Sequence, residues 1–472
     1  MISARQGRTL FDGLSSQLIE DYAGIELEGW MKRANEILDD DDLVDMVARR
    51  LQERRPNSRT RGREGTPAEV VLRMLVLKHV KNWSFATLEW ETRSNLAYRE
   101  FTRVRDKKVP DEKTMVRARQ VLGPETMERI NARLVQIAVE NKVARGRKMR
   151  VDTTVVETNV SYPTDSKLLW DGLRTITRKA GQIKEILGDT SKKMRNRLRS
   201  AKRQVIDIAK AARARSEQSK EKKVESYKKL LVVTRKVVKE GEAIVKRAKR
   251  RARAASSAAK RATLLKTVGA MTEVIVLTRT VIEQTRARVI KGNTHYEGKV
   301  TSIFEPQTEI IRRGKAGKPT EFGKMIKIQE AERQIITSYE VFDTRPADSE
   351  ILMEGVEAHK EVFGSAPDLL AADAGFFSAD NITAAAEAGV RKVCIPNKKG
   401  KSADEHKRRR QRWFRAGQRW RVGCEGRISV LKRRHGMNRS RYRGMDGMKC
   451  WVGLSVFSDN LINISKAMVE TG

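Results

Sequence analysis

KMRVDTTVVETN, residues 148–159, is the stretch on which the fold turns. Its alternation and its β-branched valines and threonines predict a strand. Asp152 lies in the middle of that strand, where an acidic side chain is unfavourable unless it faces a site. To either side of this stretch the reading is helical for a long way, so the strand separates two helical regions.

Before it, residues 1–54 carry two weakly amphipathic helical patterns, and the acidic run Asp39–Asp42 starts the second. RPNSRTRGREG, residues 55–65, is basic and turn-rich and reads as a linker or an arm touching a polyanion. A helix start follows: Thr66 as cap, Pro67 at the first helical position and Glu69 completing a capping box. Ser84 opens a second helix and Asp111 a third, with a break at Val109-Pro110. Short helices with basic ends resemble a helix-turn-helix in outline, and a helical packing unit without groove contacts reads equally well.

After the strand, residues 165–292 form a strongly basic helical stretch. Tyr227, Leu230, Thr234, Val237, Ile244 and Ala248 recur at three-, four- or seven-residue steps. Leu264, Val268, Met271, Ile275, Thr278 and Ile282 do likewise. Both sets predict the seams of long antiparallel helices. Between them runs KRAKRRARAASSAAKR, which alone would be a solvated face, although the charge of the whole region calls for an anionic partner.

Strand character returns after Gly292. Residues 322–330 and 334–342 read as paired strands, 348–363 as helix, 369–372 as an apolar strand, 381–389 as helix, 391–395 as a strand and 418–434 as helix. This is an α/β order. Asp373 directly follows the apolar strand, at the strand tip where sites collect in open α/β sheets. Glu425 stands in the otherwise basic RWRVGCEGRISVLKRR. Asp165, Asp171 and Asp380 read as helix-start residues, and Glu405 as part of a solvated charged loop. His295 and Tyr296 fall in a loop, and no spacing argument ties His435 or Asn438 to a site.

The bulk properties narrow the function. The 472 residues contain 98 Lys plus Arg against 60 Asp plus Glu, a formal charge of +38. Such an excess implies a polyanionic partner, and phosphates are the usual one. No apolar run reaches the roughly 20 residues needed to span a bilayer, and MISARQGRTLFDG lacks a signal-peptide core, so a soluble, cytoplasmic protein without a membrane partner is expected. Cys394, Cys424 and Cys450 have neither disulfide-framework nor zinc spacing. No GxxxxGK[ST] loop is present, so no nucleotide is expected. Three carboxylates could hold hard divalent cations, one activating an attacking oxygen and the other stabilising a leaving one.

VDTTVVETN, YPTDS, AADAGF and the helix carrying Arg421, Glu425 and Lys432 together resemble the catalytic core of bacterial insertion-sequence DDE transposases. Arg421, Glu425 and Lys432 match the spacing of that group's Tyr-Arg-Glu-Lys signature, with Gln418 where the Tyr stands. TPAEVVLRMLVLKHVKNWSFATLEWE resembles the group's N-terminal domain. The resemblance covers roughly residues 66–163 and 319–460.

It implies an RNase H-like mixed-sheet core with a long basic α-helical insertion and an N-terminal α-helical domain. The expected division is an arm and linker at 1–66, a DNA-binding domain at 67–147, the catalytic core at 148–163 and 293–465, and the insertion at 164–292. It also implies Asp152, Asp373 and Glu425 as catalytic metal ligands for two magnesium ions, with manganese as a substitute. The 221 residues from Asp152 to Asp373 are long for this core, and the insertion explains them; the next gap is 52 residues. Arg421 and Lys432 share roughly one face with Glu425 and would clamp phosphate. Trp413 and Trp420, interleaved with cations, would stack bases or else pack in the core. The expected partner is double-stranded DNA, as element ends and target, with a homodimer formed on it. The rival readings are a related DDE nuclease without strand transfer and a non-enzymatic DNA-packaging protein.

Overall fold

The computed structural model describes residues 2–6, 27–54, 64–188, 194–214, 216–253, 257–312, 319–397, 400 and 402–471. The basic linker or arm at 55–65 lies outside them except for Glu64 and Gly65, as does most of the chain before residue 27. Two compact units result, residues 160–322 and the remainder.

In the larger unit, α1 (Gly29–Leu38) and α2 (Asp41–Glu53) lead into α3 (Ala68–Val80). Asp40 caps α2 by accepting from the Leu43 N–H, as the acidic run predicts. Every residue of α3 from Ala68 to His79 is buried, so this helix is a core element rather than an amphipathic one. The expected capping box at its start is not formed. Pro67 itself is the cap residue, and the Ala68 and Glu69 N–H groups donate to the Ser3 and Ala4 carbonyls. The Glu69 carboxylate accepts from the Gln6 N–H instead of folding back on its own helix. A segment distant in sequence therefore satisfies the donors that local side chains usually cover.

Two helices follow, α4 (Phe85–Ser94), capped by Ser84, and α5 (Leu96–Phe101). Next comes α6 (Glu112–Glu140), capped by Asp111 and bent at Gly123, whose φ of 69° breaks the helix before Pro124. Both sequence-predicted caps at Ser84 and Asp111 are present.

The sheet is built on β1 (Lys148–Glu157). On one side it pairs antiparallel with β3 (Thr320–Glu330), and β3 pairs antiparallel with β4 (Ile336–Val341). On its other side it pairs parallel with β5 (Leu369–Ala371), which pairs parallel with β6 (Lys392–Cys394). The order β4-β3-β1-β5-β6, with only β3 reversed, is the mixed sheet of an RNase H-like core. Side chains alternate across β1. Met149 meets α11 (Leu352–Phe363) at Gly355, whereas Arg150 meets α14 (Arg412–Arg434) at Trp420. The sheet is thus covered on both faces. Of the shorter elements, α12 (Ala379–Glu387) links β5 to β6 and α13 (Ala403–Arg410) precedes α14. The last helix, α15 (Gly444–Thr471), buries Trp451, Leu454, Phe457 and Leu461 in one core with α1 to α6.

The second unit contains α7 (Asp165–Leu187), α8 (Leu198–Ala211), α9 (Glu217–Arg253) and α10 (Ala258–Thr285), followed by the short β2 (Glu309–Arg312). All twelve seam residues predicted on α9 and α10 are buried, and they share one core with α7 and α8. Part of the basic run between the two helices, residues 254–256, lies outside the described residues. Among the described residues no helix is long and apolar enough to cross a membrane.

Candidate active site

Asp152 sits on β1, 8% exposed, on the same face as Arg150. The parallel register pairs Arg150 with Ala371; Asp152 lies two residues on from the one and Asp373 two residues on from the other. Asp152 thus leaves the middle of β1, five residues before its end, whereas Asp373 lies just past the C-terminal end of β5, next to that of β6. The Asp373 carboxylate accepts from the Gly375 N–H at 2.8 Å, closing the turn after β5.

Helix α14 lies across these strand ends, and three contacts fix it there. The Gln418 amide donates to the carbonyls of Cys394 at 2.8 Å and Ala372 at 3.3 Å, tying the helix to the ends of β6 and β5. Gly417 lets the helix backbone approach Cys394, since a Cβ there would stand 2.6 Å from the thiol sulfur. Arg150, buried and paired with Glu330 at 2.6 Å, donates to the Trp420 carbonyl. Cys424 turns inward towards the same charges: burial pushes its thiol well up, and the Glu330 and Asp152 carboxylates push it further.

Glu425 follows Cys424 and turns outward, with its side chain 57% exposed. Its carboxylate is held by Arg421, one turn earlier, at 2.9 Å. Lys432 lies on the same helix. The guanidinium of Arg150 stands 4.8 Å from the Trp420 ring centre, and Trp413 packs edge-on against Phe414. Both indoles therefore have partners within the fold.

Among the described residues no three His, Cys, Asp or Glu side chains are gathered so as to hold a metal ion. Glu425 is held in the Arg421 ion pair, with more than half of its side chain exposed. The donor chemistry of Asp152, Asp373 and Glu425 suits a hard divalent cation, because it consists of carboxylate oxygens without thiolate or imidazole.

Sequence reasoning missed a further carboxylate, Asp348. It accepts from the Thr153 hydroxyl at 3.1 Å. A point at the Cβ position of Gly375 lies 2.8 Å from Asp348 Oδ2 and 3.0 Å from Asp373 Oδ1, which puts the two carboxylates against one spot. No spacing from Asp152 or Asp373 would have found Asp348. The Arg150–Glu330 pair did leave a signal, since a cation beside Asp152 in a buried strand demands an anionic neighbour.

Several competitors differ from expectation. Ser378, not Asp380, caps α12. Glu405 is not in a solvated loop: it begins α13, only 12% of its side chain is exposed, and it pairs with Arg408 and Arg409. Asp165 follows the cap Thr164 and pairs with Arg288 at 2.9 Å. His435 is buried against Asp459 and the His79 carbonyl.

Residues 26–121 match the family described as Transposase domain (DUF772). Residues 385–465 match the Transposase DDE domain. Both stretches are thus similar to transposase domains, which supports the insertion-sequence DDE transposase reading. The second match takes in Arg421, Glu425 and Lys432, while Asp152 and Asp373 lie outside both. No curated protein matches the chain, and neither does a solved structure. Transposases act on DNA, which gives the charge of +38 its partner.

Proposed function

We propose that this transposase cuts the ends of a DNA element and joins the freed 3′-hydroxyl to target DNA, with Asp152, Asp373 and Glu425 as its metal ligands. The observation that supports the reading is the parallel pairing of β1 with β5, Arg150 opposite Ala371, with Asp152 and Asp373 each two residues further on and Glu425 on the helix tied to the end of β5. Two magnesium ions, or manganese in their place, would supply an activated oxygen nucleophile and stabilisation of the leaving oxygen. The chain's own part is to fix the two aspartates on the neighbouring elements β1 and the turn after β5, and to bring Glu425 towards them. Glu425 must first release Arg421, which then becomes free to clamp a phosphate alongside Lys432. Trp420 and Trp413 lie on the same helix, where an unpaired base of the DNA would stack. The reaction handles two element ends together, so a homodimer assembled on DNA is the expected working form.

The test is cleavage of supercoiled DNA bearing the element's own ends, with and without magnesium. Wild type is compared with Asp152→Asn, Asp373→Asn and Glu425→Gln, each checked for folding by circular dichroism. The expected result is metal-dependent cutting at the ends by wild type, and variants that bind DNA but leave it intact. A variant that cuts normally removes its residue from the ligand set. Cutting without joining leaves a nuclease; binding without cutting under any divalent metal sinks the enzymatic reading.

A further inference from the structure

The deepest unexplained charge in the larger unit is Lys78, only 2% exposed near the end of α3. Its ammonium lies 4.6 to 5.2 Å from the ring centres of Trp451, Phe85 and Tyr442. No carboxylate pairs with it among the described residues. The charges nearest to it are Arg119 and Arg441, both repulsive. Burial, with those two guanidinium groups added, pushes its pKa down to about 7. A buried cation among cations is costly to the fold, and such a cost marks candidate functional sites.

Lys78 also lines an open cavity of about 560 Å³. Ser84, Phe85 and Ala86, the cap and first turn of the ten-residue α4, form part of its wall, the end of a helix that favours an anion. Arg119, Arg441 and Arg443 also line it, against only two acidic residues, Glu112 and Asp446. Trp83, Phe85 and Tyr442 supply aromatic surface. The cavity lies where the two matched domains meet, with Lys78 and Ser84 in the first and Tyr442 in the second.

We propose that this cavity binds one nucleotide of single-stranded DNA, its phosphate drawn to Lys78 and the start of α4 and its base laid on the aromatic wall. Cations, a helix N-terminus and flat rings are the groups that such a ligand requires. The site lies on other elements than the carboxylates of β1 and β5. The inference rests on the DNA-acting reading for its ligand but not on the assignment of the metal ligands.

The test compares full-length wild type, Lys78→Met, Lys78→Arg and Lys32→Met, the last removing an exposed charge from α1. A fluorescent single-stranded oligonucleotide and a duplex are titrated by anisotropy, and thermal unfolding is followed alongside. Lys78→Met is expected to weaken single-strand binding roughly tenfold, the loss of one charge-assisted contact. Lys78→Arg should keep most of the affinity and Lys32→Met nearly all of it. Lys78→Met should also unfold at an equal or higher temperature, because an unpaired buried charge has gone. Unchanged single-strand binding by Lys78→Met overturns the proposal while leaving the transposase reading in place. A lower unfolding temperature with unchanged affinity makes Lys78 a packing residue. If wild type binds neither single strand nor duplex, both readings fall.

Discussion

The helical insertion and the sheet bury their residues in opposite ways. On α9 and α10 the buried seam is apolar, and its threonines donate back into their own helix, Thr234 to the Leu230 carbonyl and Thr278 to that of Val274. The sheet instead buries Arg150, Asp152, Lys324, Lys327 and Glu330. Stability alone would replace such charges with apolar side chains of similar volume, often at no cost. The insertion is therefore what periodic spacing produces when packing is the sole demand. The sheet shows what happens when a strand must also carry chemistry.

That contrast breaks most sharply at Arg150 and Glu330. Burial pushes the Glu330 carboxyl up while Arg150 draws it back, so each charge depends on the other. Arg150→Met alone, which leaves a buried carboxylate unpaired, should destabilise the larger unit by about 3 to 5 kcal/mol in urea unfolding. Arg150→Met with Glu330→Gln should recover much of that loss. If the double variant is no better than the single, the pair is not what balances the burial there.

The insertion should respond differently. Leu230, fully buried in its seam, has no polar partner to strand, so Leu230→Ala should cost about 3 kcal/mol from lost transfer and the remaining cavity. Hydrogen exchange should quicken across α7 to α10. Equal quickening in β1 would mean that the bundle's core does not stand by itself.

The same contrast explains what was legible. A seam repeated over many turns is written in spacing, and every predicted seam residue on α9 and α10 is buried. The succession of strands and helices along the core followed from β-branched runs and from turn residues, whereas their order in the sheet did not. Asp152 and Asp373 stood out in the sequence because a carboxylate in or just after an apolar strand is locally unfavourable. Asp348 was not, because a residue beginning a helix looks like an ordinary first-turn acid until the fold brings it to Thr153 and Gly375. Glu69 misled for a related reason: the capping box was locally sound, but Ser3, Ala4 and Gln6 arrived from elsewhere to take its place.

The smallest expected effect on stability sharpens the comparison at the site itself. Gln418 replaces the tyrosine of the resembled signature and uses its amide to hold two strand-end carbonyls, one of them on Ala372, directly before Asp373. Gln418→Ala should cost only about 1 kcal/mol, the net worth of such hydrogen bonds. Its effect on cleavage should be larger than that cost suggests, since small shifts of a reacting group are expensive in rate. Gln418→Tyr keeps an aromatic side chain's bulk but offers a single O–H where the amide satisfies two carbonyls, so it should behave like the alanine variant rather than rescue it. Normal cleavage by both variants would show that the helix is positioned by Gly417 and Arg150 without help from Gln418.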